Sequence, residues 1–242
     1  MSESEVDHGV LDLQRQHWEH TYAANPMMFG AEPSEAGRHA IALLSKAGAI
    51  DILELGVGQG RDTLAFLHAG MRVTALDYAP EGLAELTRGA QAAGVADRLR
   101  TDIHDVRQPL RLPDSSVDGV FSHMLFNMAL TTEEIIALAA EVRRVLRPGG
   151  LHIYTVRHVG DAHFGTGILR GDNMTEHGGF VVHFFDRALV ESVAEGFTSP
   201  AVVAFEEGGL PRRLWRVTQR KTDNPAHSNH QQLPQQKGNT NE

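Results

Sequence analysis

Short apolar runs alternate with helix-spaced apolar positions from Ser34 to Glu206. Ser34 follows Pro33 and supplies a helix cap ahead of Ile41, Leu43 and Leu44. The run AIDILELG comes next, ends in glycine and suits a strand buried on both faces. MRVTALD, from Met71 to Asp77, predicts a second strand, and the helix after it buries Leu83 and Leu86. Two further strands are predicted around Leu99 to Ile103 and from Val117 in VDGVFSHM. Thr131 and Glu134 form a capping box, and Ile135, Leu138, Val142 and Val145 recur at helical spacing. Pro148, Gly149 and Gly150 end that helix, and LHIYTV, Leu151 to Val156, is the next strand. Between Gly160 and Gly179 the glycines and the lack of periodicity predict a loop rather than a helix. FVVHFF, a helix at about Arg187 to Glu195, AVVAFEE and LWRVTQRK close the pattern. The last two predict an antiparallel hairpin at a sheet edge. Strands alternating with helices argue for an α/β fold built from right-handed βαβ units around a parallel sheet.

A length of 242 residues fits one domain with extensions. The division expected is an N-terminal segment over 1–33, a main domain over 34–221 and a tail over 222–242. The tail TDNPAHSNHQQLPQQKGNTNE has almost nothing apolar to bury and is expected to be disordered. A net charge of −9 opposes nucleic-acid binding, where a positive field does much of the work. The absence of cysteine excludes disulfides, thiolate metal sites and a cysteine nucleophile. No apolar run approaches the ~20 residues of a membrane helix. MSESEVDHGVLDLQ lacks the basic start and apolar core of a signal peptide, so a soluble cytoplasmic protein is expected.

The first strand runs into E-L-G-V-G-Q-G-R-D, with Glu54, Gly56, Gly58, Gly60, Arg61 and Asp62. A glycine turn between a parallel strand and a helix lets a ligand approach the backbone and the helix N-terminus. Arg61 stands where a dinucleotide fingerprint has its third glycine, which argues against a nicotinamide cofactor. The alternative is a purely structural turn. Asp77 ends the second strand beside this turn, where a carboxylate can accept both hydroxyls of a ribose or simply cap the following helix. Asp105 can accept an adenine amino group, with Val106 beside it as a backbone donor and apolar contact. Otherwise Asp105 is an exposed loop acid.

Taken in order, ILELGVGQG, VTALD, TDIHDV, VDGVFSHMLF and RVLRPGGLHIYTVR resemble the class I S-adenosylmethionine-dependent methyltransferases. GQGRDTLAF is further similar to the small-molecule, tellurite-resistance and thiopurine group. The resemblance implies a Rossmann-like seven-stranded, mostly parallel sheet with an antiparallel terminal hairpin and helices on both faces. It implies S-adenosylmethionine as cofactor, with Glu54, Gly56, Gly58 and Gly60 lining its methionine and ribose part. Asp77 would hold the ribose, Tyr78 would flank the adenine, and Asp105 with Val106 would read its edge. Ser122 and His123 would stand near the sulfonium. Members that methylate nucleic-acid amino groups carry Asn or Asp, two prolines and an aromatic after the fourth strand. Here that place reads SHMLFN, which argues against base methylation.

Trp18, Tyr22 and Phe29 gather three of the fifteen aromatic residues into twelve positions outside the predicted core. They predict either a lid over the cofactor or a helix packed on the sheet. The acceptor side is expected from the segment after the fifth strand, which holds Arg157, His158, His163, His177 and His183. Arg157 can bind an anionic acceptor through its planar fork or form a surface ion pair. His123 is the first candidate base, because histidine titrates near neutrality. No tight histidine pair appears, so buried or solvated loop histidines are expected rather than a metal site. The reading is methyl transfer to a small-molecule acceptor by in-line displacement. A non-catalytic cofactor-binding module and a nicotinamide-dependent oxidoreductase remain the alternatives.

Overall fold

The computed structural model describes residues 8–208 and 212–222. Five strands run parallel, β1 (Asp51–Leu55), β2 (Arg72–Asp77), β3 (Leu99–Ile103), β4 (Val117–His123) and β5 (Leu146–Arg157). Two more, β9 (Ala201–Glu207) and β10 (Arg212–Arg220), form the antiparallel hairpin that pairs through β10 with β5. The sheet order is β3-β2-β1-β4-β5-β10-β9. The Rossmann-like α/β fold with a reversed terminal hairpin is therefore present.

Alternate strand residues feed opposite faces, as the pleat requires. Ile52, Ala75, Phe121 and Ile153 pack on one side with α2 (Glu35–Lys46), α3 (Arg61–His68) and α4 (Pro80–Ala92). Leu53, Leu76, Val120 and Tyr154 pack on the other with α5 (Thr132–Val145) and α6 (Arg187–Val193). Fully buried side chains such as Leu44 and Phe66 each contribute roughly 1.5–3 kcal/mol. Gly119 lets α2 approach the sheet, because a Cβ there would collide with the end of Leu44. Ser34 caps α2 by accepting from the Gly37 N–H, and both halves of the Thr131–Glu134 capping box are made on α5.

One expectation is corrected. The stretch expected as a loop contains β6 (Ile168–Gly171) and β7 (Met174–His177), which join β8 (Phe180–His183) in a small antiparallel sheet. Gly178 and Gly179 form the turn between β7 and β8, and Gly171 is part of β6. The two-residue connections Asp172-Asn173 and Gly178-Gly179 have positive φ at all four positions, the type I′ geometry that matches strand twist. At the boundary of the expected tail, Thr222 donates to the Gly196 carbonyl from its N–H (3.2 Å) and its hydroxyl (3.0 Å). The rest of the predicted tail lies outside the described residues.

The segment before Ser34 carries α1 (His8–Ala24). It lies against α4 and β8 rather than on the large sheet. Leu11 joins Ala129, Met174 and Val181 in a small apolar cluster separate from the two main ones. Gln14 adds two hydrogen bonds, donating to the Gly179 carbonyl (2.9 Å) and accepting from the Val181 N–H (3.1 Å).

Candidate active site

A cavity of about 440 Å³ opens at the carboxyl ends of β1, β2, β4 and β5. Its floor is the glycine turn after β1. Gly58 has φ +54, and a Cβ there would stand 3.0 Å from the Tyr22 hydroxyl, so both conformation and space favour glycine. Asp77 ties this turn to the end of β2. One carboxylate oxygen accepts from the Gly58 N–H at 2.8 Å and the other from the Ala79 N–H at 2.9 Å. Glu54 is buried beside it and accepts from the Thr63 hydroxyl at 2.6 Å. Burial, then the neighbouring Asp62 charge, pushes the Glu54 carboxyl well above its usual range. These carboxylates and glycines face Trp18 and Tyr22 of α1, which stack at 5.3 Å between ring centres. Trp18 also meets Phe180 at 4.7 Å, so α1 and β8 together cover the cavity.

Burial pushes Asp77 up to about 6, against the backbone hydrogen bonds that favour its charge. The folded value exceeds the unfolded value near 3.9, so the protonated form favours folding. That contribution is complete below about pH 4 and is lost as pH rises through 6, at a cost of about 3 kcal/mol. Asp77→Asn is therefore expected to flatten the pH dependence of the melting temperature between pH 4 and 6. An unchanged profile in thermal scans would remove Asp77 as its source.

Tyr78, Asp105 and Val106 line an adjoining pocket of about 50 Å³ that shares Gly56, Asp77 and Leu125 with the cavity. Asp105 is not a free loop acid. Burial raises its pKa, but the Arg107 hydrogen bonds outweigh burial and hold the carboxyl below its ordinary value. Arg107 Nη2 donates to it at 2.7 Å, and Nη1 reaches Asp12 of α1 at 2.6 Å. Ser122 stands elsewhere. Its hydroxyl is buried within β4, without a hydrogen-bond partner among the described residues, and does not line the cavity.

The far end of the cavity brings together residues from four strands. His123 Nδ1 lies 2.8 Å from the Thr155 hydroxyl, and its Nε2 lies 3.1 Å from Glu207. The Thr155 oxygen also accepts from the Met124 N–H at 2.9 Å. Both ring nitrogens of His123 thus stand beside a polar protein group. Glu207 also accepts from Arg61 at 3.0 Å. The contact with His123, followed by that with Arg61, overcomes burial and lowers its carboxyl to about 2. Arg61, whose guanidinium also lies over Phe29, binds protein here rather than lying free.

Arg157 is neither exposed nor in a surface pair. Its Nε and Nη2 donate to Asp161 at 3.1 and 2.5 Å, and Nη2 lies 3.1 Å from His163 Nδ1. Phe184 underlies the guanidinium at 5.1 Å. His163 and His177 stack at 4.6 Å and line the cavity. His158 and His183 do not line it: His158 stacks on Trp215 at 4.4 Å, and His183 contacts the Leu130 carbonyl at 2.7 Å. Among the described residues no group of three His or acidic side chains is placed to hold a metal. No helix among them is long and apolar enough to cross a membrane.

Sequence reasoning missed Glu207, Thr155, Asp161 and Arg212. Asp161, four residues after Arg157, carried a signal in its spacing. The others carried none, because they reach the site only through the pairing of β4, β5, β10 and β9.

Residues 52–150 match the family of the methyltransferase domain. Malonyl-[acyl-carrier protein] O-methyltransferase of Serratia marcescens is 32% identical over 126 residues, 52% of this chain and 46% of that protein. Phosphoethanolamine N-methyltransferase 1 of Triticum aestivum is 28% identical over 151 residues, 59% of this chain and 29% of that protein. The chain thus spans less than half the length of either relative. The 1,6-didemethyltoxoflavin-N1-methyltransferase of Burkholderia thailandensis was solved with S-adenosylhomocysteine and has the same fold. It superposes with a TM-score of 0.69 at 22% identity, covering 92% of this chain and 93% of that one. The motifs, the strand order and the match over residues 52–150 agree with one another, and all three point to a methyltransferase domain of the class I fold.

Proposed function

We propose that this protein transfers the methyl group of S-adenosylmethionine to a small-molecule acceptor by in-line displacement. One observation carries the reading. A single cavity joins a glycine turn with buried carboxylates at one end to an arginine and histidine wall at the other. Its volume suits a small-molecule site, for which ~300–1,000 Å³ is usual. The donor set fits the cofactor. Asp77 retains lone pairs for two ribose hydroxyls, Tyr78 and Val106 offer apolar contact to a base, and Asp105 offers an acceptor to its amino group. Asp62 and Asp77 favour a cation nearby, and Glu54 offers a further oxygen acceptor beside them.

When bound, the cofactor supplies a methyl group made electrophilic by the sulfonium. The protein's own share is placement, an effect of proximity and orientation. Trp18 and Tyr22 exclude water from above. His123 remains the candidate base of this reading, standing 3.1 Å from Glu207, which accepts from Arg61. The relatives named above methylate oxygen or nitrogen by their names, and either acceptor atom is compatible with this geometry.

Isothermal titration should show binding of S-adenosylmethionine and S-adenosylhomocysteine and none of NAD. A methyl-release assay over a panel of small acceptors should then give turnover. Binding without turnover on any acceptor would favour a cofactor-binding module, and binding of NAD alone would overturn the assignment.

A further inference from the structure

The cavity is electrically polarised. Glu54, Asp62 and Asp77 lie at the glycine-turn end, whereas Arg157, Arg212, His163 and His177 lie at the other. Two carboxylates also stand near the basic end, but both are already matched. Asp161 accepts from two Arg157 nitrogens and from the N–H groups of His163 (2.9 Å) and Arg213 (2.8 Å). Glu207 faces Arg61 and His123, as described above.

What remains over is cationic. Arg212 has no ion-pair partner among the described residues, and Arg157 Nη1 has no hydrogen-bond acceptor among them. His163 takes Arg157 Nη2 at its Nδ1, which leaves its Nε2 as a hydrogen-bond donor. Burial and the nearby Arg157 charge, with Arg212 as a smaller contributor, hold His163 below its ordinary pKa, so it stays a neutral donor at pH 7. An unpaired guanidinium facing a confined cavity favours a planar oxyanion, which it can grip through two parallel hydrogen bonds.

Resting on the methyl-transfer reading, we propose that the acceptor carries an oxyanion, a carboxylate or a phosphate, seated against Arg212 and Arg157 Nη1 with His163 as a further donor. The residues at this wall thereby select acids over neutral molecules of the same shape.

Ligand-observed NMR on the full chain saturated with S-adenosylhomocysteine tests this. Benzoate, phenyl phosphate and benzamide serve as shape-matched probes. One of the two anions should bind at least about tenfold more tightly than benzamide, and the tighter of them identifies carboxylate or phosphate as the preferred group. Arg212→Gln should reduce that affinity about tenfold while leaving benzamide and S-adenosylhomocysteine unchanged. Arg212→Lys should restore part of it, because charge remains but the fork is lost. Equal binding of anion and amide, absence of anion binding in protein that holds S-adenosylhomocysteine, or an Arg212→Gln variant with full anion affinity would overturn the proposal. Failure of the wild-type protein to bind S-adenosylhomocysteine would instead overturn the cofactor assignment beneath it.

Discussion

Asp77→Ala is expected to weaken S-adenosylmethionine binding by about 1.5–3 kcal/mol, tenfold or more, in calorimetry near neutral pH. Two effects act together. The variant loses the charged acceptor proposed for the ribose, and it releases the Gly58 and Ala79 N–H groups that shape the turn. Its stability changes in opposing directions. Two buried donors lose their partner, while the cost of holding a buried charge disappears. Affinity is therefore the diagnostic measurement, with circular dichroism to establish folding. Unchanged affinity in a folded variant would place the cofactor elsewhere.

Arg157→Ala is expected to cost about 3–5 kcal/mol of stability, because it leaves the Asp161 carboxylate, 1% exposed, without its countercharge and with only the His163 and Arg213 N–H groups as donors. For a domain of this size that is roughly 6–20 °C in melting temperature. Asp161 also anchors the start of β10 through the Arg213 N–H, so local order there should decline as well. The double variant Arg157→Met, Asp161→Leu should recover only part of the loss, since the buried charges disappear but the His163 and Arg213 N–H groups lose their acceptor. A melting temperature within about a degree of wild type in the single variant would show the pair to be energetically idle. The sequence alone suggests that Arg157→Ala would affect turnover only. With the ion pair known, lost activity in that variant cannot by itself assign a catalytic role.

The main sheet was legible because each signal is local. Apolar runs ending in glycine, the Thr131–Glu134 box and the spacing of Ile135 to Val145 act within a few residues of themselves. The β6–β7 hairpin was not read because its glycines were weighed as loop formers. Asp172-Asn173 and Gly178-Gly179 are turn dipeptides, and reading them as turns would have recovered the strands. The glycine end of the site follows the same logic, since Gly58 and Asp77 lie at strand ends where parallel sheets place ligands. The far end does not. Thr155 meets His123 only because β4 and β5 pair with those two residues opposite each other, and Glu207 arrives from the last hairpin. Strand register across that distance leaves no trace in spacing.

The small cluster that fastens α1 has consequences for how the molecule breathes. Leu11, Ala129, Met174 and Val181 are its buried members among the described residues, and with the Gln14, Asp12 and Trp18 contacts they hold α1 at the edge of the molecule, outside the two main apolar clusters. The helix can therefore detach as a cooperative unit while the sheet stays intact, as native-state exchange shows for weakly held elements in other proteins. Amide hydrogens of α1 should exchange through this opening, whereas those of β1 and β4 wait for unfolding of the whole domain. Any molecule seated beneath Trp18 and Tyr22 adds its own binding energy to the closed state. The exchange rate of one helix thus becomes a gauge of occupancy, readable whatever the bound molecule is.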